Sequence, residues 1–331
     1  MTERSGAVPI APPPTPSGEG SGFLSAPPPL AGGGWGEGET RLRRWTKSTA
    51  ALPIATVLAV LVLVWYAAAV TLNAPQVRDQ LPPDASWRDL VAGTWSMQRP
   101  VLPAPHQIVA ELRNSIFERP VTSPRSLVFH AGVTLSAALA GLGIALVLGV
   151  ALAVGIVHVR TLDRSLMPWV VASQTVPVLA IAPMVVVVLG NIGITGLLPK
   201  AAIAGYLSFF PITVGMVQGL RSPDPLQRDL MRTYSASGRE MFAKLRWPAS
   251  LPYLFPALRV AVALALVGAI VAELPTGAQA GLGARLLAGS YYGQTIQIWA
   301  TLIVASALSL LALAAVGLAE RGVTLLRGGR M

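Results

Sequence analysis

The strongest constraint on this chain is where charge is missing. Residues 131–157, 165–199, 201–220 and 286–319 contain no Asp, Glu, Lys or Arg, and 51–72 is a further uncharged run. A helix needs about 20 apolar residues to cross a bilayer, and in lipid it satisfies its own backbone hydrogen bonds. The runs therefore predict six spanning helices. They fall at 51–72, at 131–157, at two stretches of 165–220 parted by the turn-forming Asn191-Ile192-Gly193-Ile194-Thr195-Gly196, at about 253–273 and at about 296–318. Composition agrees: 53% of residues are hydrophobic and 12% charged, where soluble domains carry about 25% charged residues. The expected fold class is an all-α integral membrane protein with six transmembrane helices. Zero cysteines exclude a disulfide framework, a thiolate metal site and a cysteine nucleophile.

Charge then orients the bundle. The net charge of +10 comes from 22 arginines and 3 lysines. These gather in alternate loops: Arg41, Arg43, Arg44 and Lys47; Arg160 and Arg164; Arg221 to Arg246; and Arg321, Arg327 and Arg330. Cytoplasmic loops carry such an excess, so both termini are expected in the cytoplasm. The positive charge reads as topology, and no nucleic-acid partner is expected. Residues 1–47, with runs such as Pro12-Pro13-Pro14 and Gly32-Gly33-Gly34, form an expected disordered tail; a polyproline segment for a partner is the other reading. The expected divisions continue with a first transmembrane helix at 48–73 and an extracytoplasmic loop at 74–130. Within that loop Ile108, Leu112 and Ile116 mark an amphipathic helix starting at Pro105. A core of five spans at 131–320 and a short C-terminus at 321–331 complete the chain.

One loop, 219–250, carries a distinct pattern. Asp224 is placed to cap a helix whose first residue is Pro225, with Leu226, Leu230 and Tyr234 four apart on one face. Ser237 and Glu240 form a capping box for a second short helix, with Met241, Phe242 and Leu245 on its apolar side and Pro248 and Pro252 expected to stop it. An apolar ridge inside an arginine-rich rim is a docking surface for a partner's groove; a solvated loop with fortuitous caps is the plainer reading.

The loop resembles the cytoplasmic signature of importer permeases of the ATP-binding-cassette superfamily, EAA-x3-G-x9-I-x-LP. With Pro248 on the final proline, Leu245 takes the Ile, Ser235 the Gly, and Asp229, Leu230 and Met231 the first three positions. Spacing is kept while most identities drift. The stretches Thr175-Val176-Pro177-Val178-Leu179-Ala180-Ile181-Ala182-Pro183, Val267 to Glu273 and Gly281-Leu282-Gly283 resemble the nitrate/sulfonate/taurine subfamily. The resemblance implies a type I importer permease in a bacterial inner membrane. Its partners would be a second permease copy as a homodimer, two ATPase subunits and an extracytoplasmic solute-binding protein. Docking on the ATPase falls to Leu226, Asp229, Leu230, Thr233, Tyr234, Ser235, Ala236 and Arg239. The family's cargo comprises nitrate, sulfonates, taurine and pyrimidine-type vitamin precursors. ATP would be used by the partner, with no cofactor bound here. The residues agree: Lys47, Lys200 and Lys244 follow Thr, Pro and Ala, so no Gly-Lys-Ser/Thr phosphate loop exists.

Ionisable groups inside a bilayer cost about 2.5–3.5 kcal/mol each, and here they are nearly absent. Lys200 is expected to snorkel outward from the end of the fourth span, and Arg259 and Glu273 to bracket the fifth. Candidates for the translocation path are the polar residues beside prolines: Ser173, Gln174, Thr175, Pro177, Ser208 and Phe209. Hydrogen bonding between packed helices would explain them equally. His106, His130 and His158 are scattered, so no metal site is expected. An ion-coupled secondary carrier or a membrane scaffold remains as the alternative function, and no clustered titratable set marks an enzyme.

Overall fold

In the computed structural model the described residues are 36–82, 84–274 and 280–327, with side chains described from residue 52. Among them the chain is helical throughout, without a strand. Two compact units divide at Leu58; up to that point the chain contributes the first part of α1 (Gly36–Arg78). The Pro/Gly-rich tail lies outside the described residues as far as 35, and residues 36–47 already belong to α1.

Among the described residues five helices are long and apolar enough to cross a membrane, or six if one bent pair counts as a span. α4 (Leu127–His158), α7 (Leu197–Arg221) and α10 (Trp247–Glu273) form the packed centre. Small residues set that packing, as expected where lipid removes the hydrophobic drive between helices. A Cβ on Gly141 of α4 would stand 2.6 Å from both the Ala201 carbonyl oxygen and the Ala204 side chain of α7. Gly143 of the same helix has open space around it, so close approach, and not glycine content in general, is what the sequence encodes there.

The expected third span is two helices. α5 (Arg160–Ala172) and α6 (Val178–Asn191) meet at 101° across a 3₁₀ turn, Ser173–Thr175. The cause is Pro177, which excludes its predecessor from helical geometry: Val176 is extended at φ −80°, ψ 122°. A second departure runs the opposite way. Pro248 and Pro252 do not stop the helix they follow; α9 (Gly238–Met241) passes through a wider π-type turn, Phe242–Arg246, directly into α10. Pro248 falls in the first turn of α10, where a missing N–H is harmless, and the π turn absorbs the change in hydrogen-bond register.

Between α1 and α4 lie α2 (Trp87–Ser96) and α3 (Pro105–Arg113). Ser86 and Asp89 cap α2 reciprocally, a helix the hydropathy pattern did not mark. Ile108 of α3 is buried with Leu127 and Ala300, the last on α12 (Thr295–Leu326), and Trp65 and Trp299 pack beside them in a tilted pair with centroids 4.9 Å apart. Asn73 pins the segment to α1, accepting from Val101 N at 2.7 Å and donating to the Leu102 carbonyl at 2.8 Å.

Candidate functional site

Three places concentrate polar function, two of them foreseen. The first is α8 (Pro225–Thr233), in the loop after α7. Asp224 accepts from Leu226 N at 2.7 Å, and Gln227 Oε1 accepts in turn from Asp224 N at 3.2 Å. Leu226, Leu230 and Tyr234 are 77%, 57% and 78% exposed. Among the described residues nothing covers this apolar ridge. Asp229 is paired on α8 with Arg232 at 3.2 Å, and Thr233 bonds back to the Asp229 carbonyl at 3.0 Å.

The helix ends at the position the signature gives to glycine. Ser235 N donates to the Arg232 carbonyl at 2.8 Å and Ala236 N to the Met231 carbonyl at 3.0 Å. These two bonds define a Schellman cap, which needs a left-handed residue at its centre. Ser235 supplies it with φ 55°, the one positive-φ non-glycine among the described residues. The spacing kept at Ser235 thus preserves a backbone shape even though the glycine is gone. Ser237 then accepts from Glu240 N at 3.3 Å and opens α9, presenting Arg239 beside the cap on an exposed surface.

The second place is the break between α5 and α6. Gln174, Thr175 and Pro177 are exposed there, and Ser173 is half-buried with its hydroxyl on the Val170 carbonyl at 2.7 Å. Tyr206 of α7 donates to the Ser173 carbonyl at 2.6 Å, tying the break to the packed centre. Ser208 sits apart. It is fully buried and bonds to the Ala204 and Ala261 carbonyls at 2.7 and 3.1 Å, bridging α7 to α10. Phe209 is half-buried beside it, against Tyr206. The six path candidates therefore divide between an exposed bend and a closed helix–helix contact.

The third place went unread in the sequence. Glu273, at the end of α10 remote from α8, is 0% exposed. Its carboxylate accepts from Gly283 N at 2.9 Å and from the Thr134 hydroxyl at 3.0 and 3.1 Å. The Lys200 ammonium stands 3.6 Å away with its side chain only 13% exposed and donates to the Ala280 carbonyl at 3.0 Å. Lys200 thus turns inward; the expected snorkelling is replaced by a buried partner. Thr134 Oγ1 accepts in turn from Leu282 N at 2.8 Å, and Gly281 N donates to His130 Nδ1 at 2.9 Å. His130 Nε2 faces the Pro124 carbonyl at 2.9 Å, which assigns the neutral tautomer with hydrogen on Nε2. The knot joins α4, α7, α10 and α11 (Leu282–Tyr291). Gly281 is required by it: φ is 129°, and a Cβ would lie 2.1 Å from the Glu273 carboxyl carbon. The available signal was Gly281-Leu282-Gly283 beside two isolated charges, Lys200 and Glu273.

Near the knot Arg285 is partly buried, and desolvation, reinforced by Arg119, holds its pKa below the usual arginine value while Glu111 opposes. Among the described residues no group of three His, Cys, Asp or Glu is placed to hold a metal ion.

Comparison with known proteins agrees with this architecture. The family of binding-protein-dependent transport system inner membrane components matches residues 145–324. The formylaminopyrimidine transport permease protein ThiX of Halalkalibacterium halodurans is 35% identical over 65% of this chain and 82% of its own length. The riboflavin transport system permease protein RibX of Chloroflexus aurantiacus is 33% identical over 58% and 70%. The putative aliphatic sulfonates transport permease protein SsuC of Bacillus subtilis is 27% identical over 72% and 82%. With several membrane-length helices and this match over its centre and C-terminal half, the chain belongs to the binding-protein-dependent transport system inner membrane components, the permeases of ATP-binding-cassette importers.

Proposed function

We propose that the chain is the membrane-spanning subunit of an ATP-driven importer that moves a small polar or anionic solute into a bacterial cell through the inner membrane, with both termini cytoplasmic. The observation that carries this reading is α8: a doubly capped helix that holds Leu226, Leu230 and Tyr234 out in solvent. Exposing such a ridge is unfavourable unless a partner covers it, and a capped helix laid in an apolar groove is a recurrent way of docking. The partner is the ATPase, one copy for each of two permeases. Asp229, Thr233, Ser235, Ala236 and Arg239 lie on the same docking segment. ATP binding on that partner favours one of two packings of the spans, and no cofactor is held by this chain.

The solute path runs along the α5–α6 break, where Gln174, Thr175 and Pro177 are exposed; Ser173 shapes the turn, and Ser208 and Phe209 hold the wall behind it. Relatives named for a formylaminopyrimidine, riboflavin and aliphatic sulfonates suit a neutral path that leaves selection to an extracytoplasmic binding protein. An ion-coupled carrier needs a free carboxylate within the spans. Glu273 is committed to Lys200, Thr134 and Gly283.

The test reconstitutes the chain with its ATPase and binding protein. Leu230→Asp and Tyr234→Asp should each abolish transport-coupled ATPase stimulation while leaving membrane insertion unchanged. Full stimulation in both variants would refute the docking role.

A further inference from the structure

The ends of α4 and α7, α8 and the π turn ahead of α10 line a half-open cavity of about 350 Å³, formed by Val157, Leu220, Arg221, Pro223, Arg228 and Arg246. Three guanidinium groups on three different elements line one small space. Among the described residues a single carboxylate reaches any of them, Asp163 at 2.9 Å from Arg221. Arg228 Nε is buried without a hydrogen-bond partner, and Arg228 and Arg246 have no ion pair among the described residues. Gathering uncompensated like charge is unfavourable, and a buried donor left unmade is costly in its own right. A native fold rarely keeps both defects at one spot without something to relieve them.

We propose that this cavity binds a phosphate-type oxyanion. The chemistry selects that class. Guanidinium forks match tetrahedral oxyanions by paired N–H···O bonds, and a charge of minus one to minus two offsets what Asp163 leaves uncompensated. At about 30 Å³ per water, the space has room for a tetrahedral oxyanion together with its waters. Its remaining wall is apolar, formed by Val157 and the fully buried Leu220. Two sources present such a group at the ends of spanning helices: the headgroup of an anionic phospholipid and a phosphate dissolved in the adjacent aqueous phase. In either case the oxyanion ties Arg228 of α8 to Arg221 of α7 and Arg246 ahead of α10, fixing the docking helix on the spans. The site stands on its own geometry; only this consequence for docking rests on the proposed role of α8.

The test uses the full chain in nanodiscs and has two arms. In the first, discs of phosphatidylcholine are titrated with inorganic phosphate at fixed ionic strength, and thermal unfolding is followed with acetate as the comparison. In the second, phosphatidylglycerol is introduced and the lipids retained on the protein are read by native mass spectrometry. A saturable, phosphate-specific rise in unfolding temperature in the first arm assigns free phosphate. Retained phosphatidylglycerol in the second assigns the lipid headgroup. In the arm that responds, Arg228→Gln and Arg246→Gln should each weaken binding about tenfold, the fold-change for one lost charge-assisted contact. Arg228→Lys, which keeps charge and loses Nε, should fall between, and Arg164→Gln, outside the cavity, should bind as the parent does. Responses equal for acetate and phosphate would make this a carboxylate site for a partner protein and overturn the proposal. Absence of saturable binding in both arms, or binding undiminished in both glutamine variants, would overturn it equally.

Discussion

Removing both members of the buried pair should cost less than the two single losses added together. Lys200 Nζ lies 3.6 Å from the Glu273 carboxylate, and at an effective dielectric of about 20 two unit charges so placed attract by about 5 kcal/mol. Desolvating each ion returns several kcal/mol against that gain, so the intact pair contributes little net stability. The single variants are another matter. Lys200→Met leaves a fully buried carboxylate with only the Thr134 hydroxyl and Gly283 N–H as donors, a loss of about 3–5 kcal/mol. Glu273→Gln keeps shape but turns an amide toward the ammonium, which retains the Ala280 carbonyl; about 2–3 kcal/mol should be lost. In the double variant neither uncompensated charge exists. Its loss should fall short of the summed single losses by about 2–3 kcal/mol. Reversible unfolding of the purified chain in mixed micelles measures all four corners of the cycle. Additivity within about 0.5 kcal/mol would show that Lys200 does not act on Glu273, and the account of the knot would fail.

Two further substitutions test backbone shape. Ser235→Gly places glycine where φ is 55°; relief of left-handed strain, less the added chain entropy, should stabilise the cap by about 0.5–1 kcal/mol. Hydrogen exchange at the Ser235 and Ala236 amides, whose bonds close the cap, should slow about two- to fivefold, and unchanged exchange would refute the cap argument. Gly281→Ala forces a methyl into the Glu273 carboxylate at φ 129°, so the unfolding free energy should fall by at least about 2 kcal/mol. Gly132→Ala, with nothing within 4 Å, is the control and should change it by less than about 1 kcal/mol in either direction.

Much of the fold was legible because charge exclusion and span length are properties of single segments. The runs at 131–157, 201–220 and 296–318 are each part of a long helix, and the caps at Asp224 and Ser237 form as local side-chain geometry requires. Pro248 and Pro252 were read in the wrong direction and the sharp break at Pro177 was not foreseen, for one reason. A proline's consequence depends on what the preceding turn can do. Before Pro177 the chain has a 3₁₀ turn and an extended Val176, and the helix breaks by 101°. Before Pro248 it has a π turn, and the helix continues. The residue before each proline shows the difference: Val176 is extended at φ −80°, ψ 122°, whereas Trp247 stays helical at φ −64°, ψ −49°.

The knot was illegible for a different reason. The snorkelling expectation for Lys200 compares one side chain with the nearest water, and by that measure a lysine close to a helix end goes outward. In the folded chain the nearer partners are a carbonyl 80 residues away and a carboxylate at the end of another helix. Those partners are brought together by α7 packing against α4 and α10, and by the backbone turn at Gly281 that frees Gly283 N for the carboxylate. A buried ion pair in lipid-embedded protein is satisfied only when both ions and their remaining bonds are placed at once. Its signature is therefore distributed over Thr134, Lys200, Glu273 and the Gly281-Leu282-Gly283 turn, and no window of sequence contains it. The converse is useful: an isolated Lys and an isolated Glu bounding long uncharged runs, with a Gly-x-Gly shortly after the Glu, should be weighed as a pair before either is assigned to the membrane surface.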